Sequence, residues 1–440
     1  MNIKSILLGA SAAALAATGA QAADLPVAPE PVDYVRVCDA FGTGFFYIPG
    51  TETCLKIGGG VRAEFRAFDM LSAPAPNGSA WDQRTDTSTG MRARGYMNFD
   101  SRTNTEYGLL RTYVAAYITV DNAGGAGLTL DEAFIQLGGF VAGRTGSYFD
   151  FYTGDNWGSV LNQGFSDNGD VNLFAYTFQF GNGFSASVSV EAGDDRRAGI
   201  YNVGAPIATS TQIGVVGGAA TPVWSTATTQ NGYGGHKIPD FVANLRVDQG
   251  WGSAQLMGAL HHVYGASFSN AAVTAGTVVP GVNPAVGASI AGRGKLGWAI
   301  GGGATFNLPM IAAGDSFSIQ AAYSQGAVGF VNANFTNFSD ASYNAAGALK
   351  LSSAWGIGAG FTHFWTPAIS SSLTANYSQL DQAAGGADFN EINVQGNIGW
   401  RPVSGLYVGA ELEYRNRDFT AAGAASDDAL VGILRVQRTF

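Results

Sequence analysis

The sequence predicts an all-β protein, a 16-stranded antiparallel transmembrane β-barrel with short periplasmic turns and long extracellular loops. Three observations predict it. Apolar and polar residues alternate with period two in segments of about ten residues, the length at which a tilted strand crosses a bilayer. Short connections bearing Gly or Pro alternate with long ones. Finally, only 13% of the 440 residues are charged and 62 are Gly. Beyond the first two dozen residues, however, no apolar run of roughly 18 exists for a helical span, so a membrane would have to be crossed by strands.

The N-terminus indicates the compartment. Lys4 precedes an apolar, small-residue stretch from Ile6 to Gly19, and Ala20-Gln21-Ala22 has the A-x-A form of a signal-peptidase site. Residues 1–22 are therefore expected as a signal peptide cleaved before Ala23. Residues 23–54 read as an N-terminal periplasmic segment, beginning with a proline-bearing extended leader, Ala23 to Pro31. It contains Cys38 and Cys54, the only cysteines. In an oxidising periplasm one bridge is the default, stabilising by roughly 3 kcal/mol in the chain-entropy model; two unpaired thiols are the alternative. Two cysteines are too few for a four-ligand zinc site, and the net charge of −10 argues against nucleic acid as a partner.

Residues 55–440 carry the alternation. Ile57, Val61, Ala63 and Phe65 oppose Lys56, Arg62, Glu64 and Arg66; Met91, Ala93, Met97 and Phe99 oppose Arg92, Arg94, Asn98 and Asp100. The same pattern returns at Phe184–Glu191, Phe241–Asp248, Phe317–Ser324, Ile392–Trp400 and Leu406–Arg415. Tight turns are expected at Gly181-Asn182-Gly183, Gln249 to Gly252, Leu308 to Gly314 and Arg401 to Gly405, with long connections between them, notably 192–237 and 265–293. Counting segments from Leu55 to Phe440 gives sixteen, to within about two strands. A secreted β-sandwich would also alternate. Strand length, aromatics gathered at strand ends (Phe178, Phe180, Phe184, Trp400, Tyr407) and the final apolar strand Leu430 to Phe440 favour the barrel. In lipid every backbone N–H and C=O must be paired within the protein, so such strands close on each other.

The segment DYVRVCDAFGTGFFYIPGTETCLKIGG, Asp33 to Gly59, resembles the opening of the alphaproteobacterial porin family. Phe440 is similar to the C-terminal aromatic that outer-membrane proteins present to the barrel-assembly machinery. The resemblance covers the chain from about Val32 to Phe440. It implies a general porin of the cell outer membrane, in contact with outer-membrane lipids and lipopolysaccharide. Such a porin is a homotrimer passing ions and small hydrophilic solutes by passive diffusion. It also implies that the third long loop, here Tyr148 to Asn172, folds into the lumen. A substrate-specific channel, for a sugar for example, is the alternative.

A wide lumen needs a constriction to be selective. Eight basic residues lie between Lys56 and Arg111, and five are arginines on the non-lipid parity: Arg62, Arg66, Arg92, Arg94 and Arg111. Arg144 on the fifth strand extends the set. From Thr145 to Asp195 there is no Lys or Arg, while the loop carries Asp150, Asp155, Asp167 and Asp170. An acidic loop facing an arginine wall would set up a transverse field across the pore. Rim arginines and ordinary turn aspartates are the alternative, but a lipid-facing Arg costs roughly 2–4 kcal/mol near the midplane.

Other motifs point elsewhere. His261 and His262 fall on opposite faces of a strand and cannot chelate one metal together. Gly301-Gly302-Gly303 and Gly356 to Gly360 sit inside alternating strands without a following helix, against nucleotide binding; they read as packing positions, for instance between subunits. No catalytic set or cofactor motif stands out, so an enzyme is not expected. A barrel-bound phospholipase or protease would use fewer strands and a Ser/His or acid set at the rim. A gated receptor would need a plug of well over a hundred residues, and about 32 precede the first strand after the expected cleavage.

Overall fold

The computed structural model describes residues 36–71, 81, 84, 87–122, 124–166, 169–202, 215–216, 219–220, 232–266, 268–269, 289–290, 292–343, 348–383, 388–420 and 427–440. The expected signal peptide and Asp167 lie outside them. The chain divides into two compact units, ending and beginning at Cys54 and Leu55. In the first, Cys38 and Cys54 are bridged, with Cα atoms 6.0 Å apart. The bridge is buried with Phe45 against Phe41 and Tyr47.

In the second, sixteen of the strands in one continuous sheet form the barrel. They are β1 (Cys54–Ala67), β2 (Thr89–Thr105), β3 (Gly108–Asp121), β4 (Gly127–Leu137), β5 (Phe140–Thr145), β6 (Val171–Gly181), β7 (Phe184–Glu191) and β8 (Asp240–Gln249). After these come β9 (Gly252–Tyr264), β10 (Gly294–Asn307), β11 (Ser316–Gln325), β12 (Ser353–Thr366), β13 (Ile369–Asp381), β14 (Phe389–Trp400), β15 (Leu406–Phe419) and β16 (Asp427–Thr439). Each pairs with its chain neighbours, and β1 pairs antiparallel with β16 from Gly60↔Thr439 to Ala67↔Gly432. Gly59 and Phe440 exchange both backbone hydrogen bonds, at 3.2 and 3.0 Å. The barrel is closed, so it has no free strand edge, and the expected fold class holds.

The two faces follow the alternation. On β8, Phe241, Ala243 and Leu245 are exposed on the outer side, while Asp240, Val242 and Asn244 are buried inside. Val61, Leu245, Leu256 and Leu434 are each 58–65% exposed, an arrangement that suits hydrocarbon and not water. Connections alternate as well. Five turns at one end have two intervening residues; the one at Asn182-Gly183 places both at positive φ (52° and 78°), the type I′ geometry that matches strand twist. Exposed Tyr107, Phe180, Trp251, Trp365 and Trp400 ring this end, as interfacial anchors do.

Leu245→Arg, at the middle of β8 on the outer face, is expected to destabilise the folded barrel in lipid by about 2–4 kcal/mol. Reversible denaturant unfolding in vesicles checks this. A soluble sandwich with the same residue exposed to water would tolerate the change.

Candidate functional site

The connection between β5 and β6 folds inward and runs along the lumen side of β8 to β16. Its fastening is electrostatic. At its start Ser147 Oγ and Tyr148 N donate to the buried Glu191 carboxylate at 2.6 and 3.0 Å, and Asn244 Nδ2 donates to Tyr148 O at 2.7 Å. Tyr152 N donates to Gln320 Oε1 at 2.8 Å, and Asp155 N to Thr374 Oγ1 at 3.2 Å. Five successive backbone N–H groups then converge on two wall carboxylates of β15. Trp157 and Gly158 donate to Glu411, and Ser159, Val160 and Leu161 to Glu413, at 2.6–3.2 Å. Successive N–H groups make an anion-binding concavity. Both carboxylates are buried, and charge-assisted bonds of this kind are about twice as strong as neutral ones.

Steric fit completes the attachment. Glycines on the lumen face leave room for the loop's rings: a Cβ at Gly303 would sit 2.7 Å from Phe151, at Gly358 2.5 Å from Phe165, and at Gly360 within bonding distance of the Tyr152 hydroxyl. These glycines, read from sequence as packing positions, are the seats of the inward loop. The segment after β11 covers it from the other side. Phe330 meets Phe149 edge to face at 4.9 Å, and Ala333 N donates to Phe165 O at 2.8 Å.

That covering segment is tied to the wall by a buried polar cluster. His261 Nδ1 lies 2.8 Å from Asp240 Oδ1 and its Nε2 3.1 Å from Tyr233 Oη; Tyr233 donates to Asp340 at 2.8 Å. Asp340 also accepts from Ala198 N and Val328 N at 2.8 and 2.9 Å, so one carboxylate gathers two long loops. His261 and His262 do alternate, one inside and one outside.

Arg62, Arg66, Arg92, Arg94 and Arg111 share the lumen face of β1 to β3. Arg66 and Arg435 of β16 both reach Glu64 at 2.5 Å, with Arg62 at 3.4 Å. Arg92 pairs with Asp121 at 2.6 Å, and Arg102 and Arg111 share Asp100 at 2.7 and 2.9 Å. Arg94 donates to Thr119 Oγ1 at 2.7 Å, stacks 4.0 Å above the Tyr117 ring and has no ion pair among the described residues. Seven guanidinium groups thus face three carboxylates, an excess of four positive charges (7 − 3). Arg102 and Arg435 belong to this wall, although sequence reasoning left them out; Arg102 stands on the lumen parity of β2 and was legible, whereas Arg435 joins only through closure.

Arg144 departs from the set. Its register partners are Ala133 and Asn172, and the neighbouring Ile135, Phe140 and Phe174 of that parity are exposed outside. It therefore stands on the outer face near the long-loop end; the inward positions of β5 are Val141, Gly143 and Thr145, whose hydroxyl donates to Glu132. The loop aspartates are also engaged locally. Asp150 accepts from Ser166 Oγ and Arg196, each at 2.6 Å. Arg196 comes from the following loop, 46 residues away, which no local pattern reveals. Asp155 accepts from Tyr152 Oη at 3.0 Å, and burial pushes its carboxyl above the usual range against the pull of that bond. Asp170 is half-buried where the loop enters β6.

A closed barrel, apolar outside and lined by charge within, with a loop folded into its lumen, defines an outer-membrane β-barrel of the porin type. The chain belongs to the porin subfamily, whose family model matches residues 24–433. It is similar to the porin Omp2b of Brucella suis and of Brucella abortus, 39% identical over 269 residues, 58% of this chain and 64% of the relative. The match thus spans just under two thirds of those relatives. Among solved structures it resembles in fold the outer-membrane channel DcaP of Acinetobacter baumannii. That likeness has a TM-score of 0.58 and 16% identity, and covers 90% of this chain and 99% of the other. It also resembles OmpF of Salmonella typhi, solved with daunomycin (TM-score 0.50, 8% identity, 88% and 98% covered). The protein is a multi-pass β-barrel of the outer membrane, and the family resemblance read from Asp33 to Gly59 holds.

Glu411→Gln with Glu413→Gln is expected to loosen the loop, seen as larger and noisier single-channel conductance in a folded barrel; unchanged conductance and noise would dismiss the carboxylates as its anchor. Asp155→Asn tests burial. Because the folded-state value is raised, the stabilisation belongs to the protonated form. It is complete below about pH 4 and is lost as pH rises through the raised value. The variant should match the wild type in acid and be more heat-stable at neutral pH, scored by the temperature at which the barrel loses its folded gel mobility.

Proposed function

We propose that the protein is a general porin, a water-filled passive diffusion channel for ions and small hydrophilic solutes. The observation that carries this reading is the division of the lumen. The inward loop is fastened along β8 to β16, and the arginine-rich face of β16 to β3 is held rigid by Tyr96, Tyr113 and Tyr117. A fixed excess of positive charge beside a narrowed path favours anions. On this reading the constriction is formed by Arg62, Arg66, Arg92, Arg94 and Arg111, joined by Arg102 and Arg435, and Asp150 and Asp155 act as internal fastenings of the loop. Asp170 marks its exit.

Residues 1–22 serve as the export signal and 23–54 as a periplasmic segment. Phe440, paired to Gly59, is the element recognised during barrel assembly. The working form is a homotrimer surrounded by outer-membrane lipid and lipopolysaccharide. Family membership supports a channel and not a barrel-bound enzyme. One observation favours the alternative of a substrate-specific channel: the lumen-facing rings Tyr96–Tyr117 and Tyr113–Phe134 contact each other at 5.9 and 5.6 Å, and a row of rings suits sugar faces. Added oligosaccharide blocking the current at millimolar concentration would support that reading.

In planar bilayers the protein is expected to insert with conductance steps in threes that rise about linearly with salt. Arg94→Ala, with or without Arg62→Ala, should move the reversal potential toward cations. Intact conductance with an unmoved reversal potential would remove these arginines from the narrow part of the path, and insertion without current would overturn the channel.

A further inference from the structure

Between the inward loop and the short-turn end, the lumen sides of β3 to β9 enclose a cavity of about 490 Å³, a size usual for small-molecule sites. Residues 145–150 of β5 and the loop line one side of it. Register places the wall residues on the inner parity: Arg111 stands opposite Gln136, Gln136 opposite Val141, Thr177 opposite Ser187, and Arg246 between Ser185 and Gln255. The charges lining the cavity cancel, Arg111 and Arg246 against Asp150 and Asp248 (2 − 2). Each is also closed on a counter-ion. Arg246 forks onto Asp248 with two bonds of 2.8 Å, Arg111 onto Asp100 at 3.0 and 2.9 Å, and Asp150 takes Arg196 at 2.6 Å. Asn244 and Gln255 spend their amide N–H groups on Tyr148 O, at 2.7 and 3.4 Å. What the cavity offers a solute is therefore neutral. Thr177 and Ser187 hydroxyls lie 2.9 Å apart, with either able to donate, and Ser185 stands beside them. Tyr148, packed on the cluster of Val171, Leu173 and Ala175, and Phe134 supply rings.

We propose that this cavity is a binding site for a neutral sugar, on the short-turn side of the inward loop and apart from the paired tyrosines of the arginine wall. Hydroxyls of Thr177, Ser185 and Ser187 would exchange hydrogen bonds with sugar hydroxyls, and the Tyr148 ring would meet the C–H face of the sugar. A hydroxyl both donates and accepts, so an array of hydroxyls matches a polyol without a fixed direction of donation. The electron-rich face of an aromatic ring suits C–H groups. Closed bidentate pairs present little field to an anion or a cation, so the cavity selects differently from the arginine wall with its positive excess. The proposal deepens the channel reading and rests on it only for the route by which sugar arrives.

The test uses the folded full-length protein in detergent, titrated with maltose and with its anionic aldonic acid, maltobionate, and read by saturation-transfer NMR on the sugar. Thr177→Val with Ser185→Ala and Ser187→Ala removes three hydroxyls with little change of volume, and should weaken maltose binding about 10-fold through the hydrogen bonds lost. Ser185→Phe, which fills the cavity from β7, should do the same. Folding of both variants is checked by gel mobility. Maltose bound equally by wild type and both folded variants overturns the proposal. So does loss of maltose in Tyr117→Ala with binding kept in the cavity variants, which would move the sugar to the arginine wall. Maltobionate bound more tightly than maltose and weakened by the same variants would make the cavity an anion site, and also overturns it. Conductance on the same preparations separates the two readings. Conductance steps without variant-sensitive maltose binding overturn the site and leave the channel, whereas variant-sensitive binding in a protein that passes no current overturns the channel and leaves the site standing.

Discussion

The backbone's need for hydrogen bonds in a medium that supplies none constrains everything else in this molecule. A strand in hydrocarbon with an unpaired edge would leave several kcal/mol per peptide group uncompensated. The only relief is closure, and here it falls between the first and last strands, completed by the reciprocal bonds of Gly59 and Phe440. Closure in turn gives every strand one face for lipid and one for the lumen. That assigns Leu245 to hydrocarbon and Arg94 to the interior before any side chain makes a contact.

The lumen is then organised by charges held in low dielectric. Glu191, Glu411 and Glu413 are buried acids with no ion pair among the described residues, and they are satisfied by backbone N–H groups of the inward loop and by hydroxyls. Removing the loop would strand them, so loop and wall stabilise each other. The opposite wall uses a different device. Its guanidinium groups are shared among too few carboxylates and are held flat by tyrosine rings, which keeps a positive surface rigid at modest cost. The loop reaches the arginine side as well, where Ser159 Oγ donates to Glu64 at 3.2 Å and Arg435 stacks 4.0 Å over the Trp157 ring.

Several site features were legible from the sequence and others were not, for definable reasons. Parity on a strand is a local property, so Arg62, Arg66, Arg92, Arg94 and Arg111 could be placed on the inner face from spacing alone. Parity also placed His261 and His262 on opposite faces. Arg144 shows the limit. Its strand has six residues, too few for an alternation to declare itself, and the register that turns it outward is set by β4 and β6. The loop aspartates show a second limit. A run of acids without bases looks uncompensated in one dimension, yet Arg196 returns from the next loop to pair with Asp150.

By itself, the amino-acid sequence determined the period-two alternation, and with it the barrel, its sixteen strands, the two kinds of connection and the family, because each is written in neighbouring residues. The tertiary structure alone decided which carboxylates clamp the loop, which glycines seat its rings, and that Asp340 ties two loops to one wall. Those depend on residues brought together from more than a hundred positions apart, as Trp157 and Glu411 are, and only the closing of the barrel sets the distances between them.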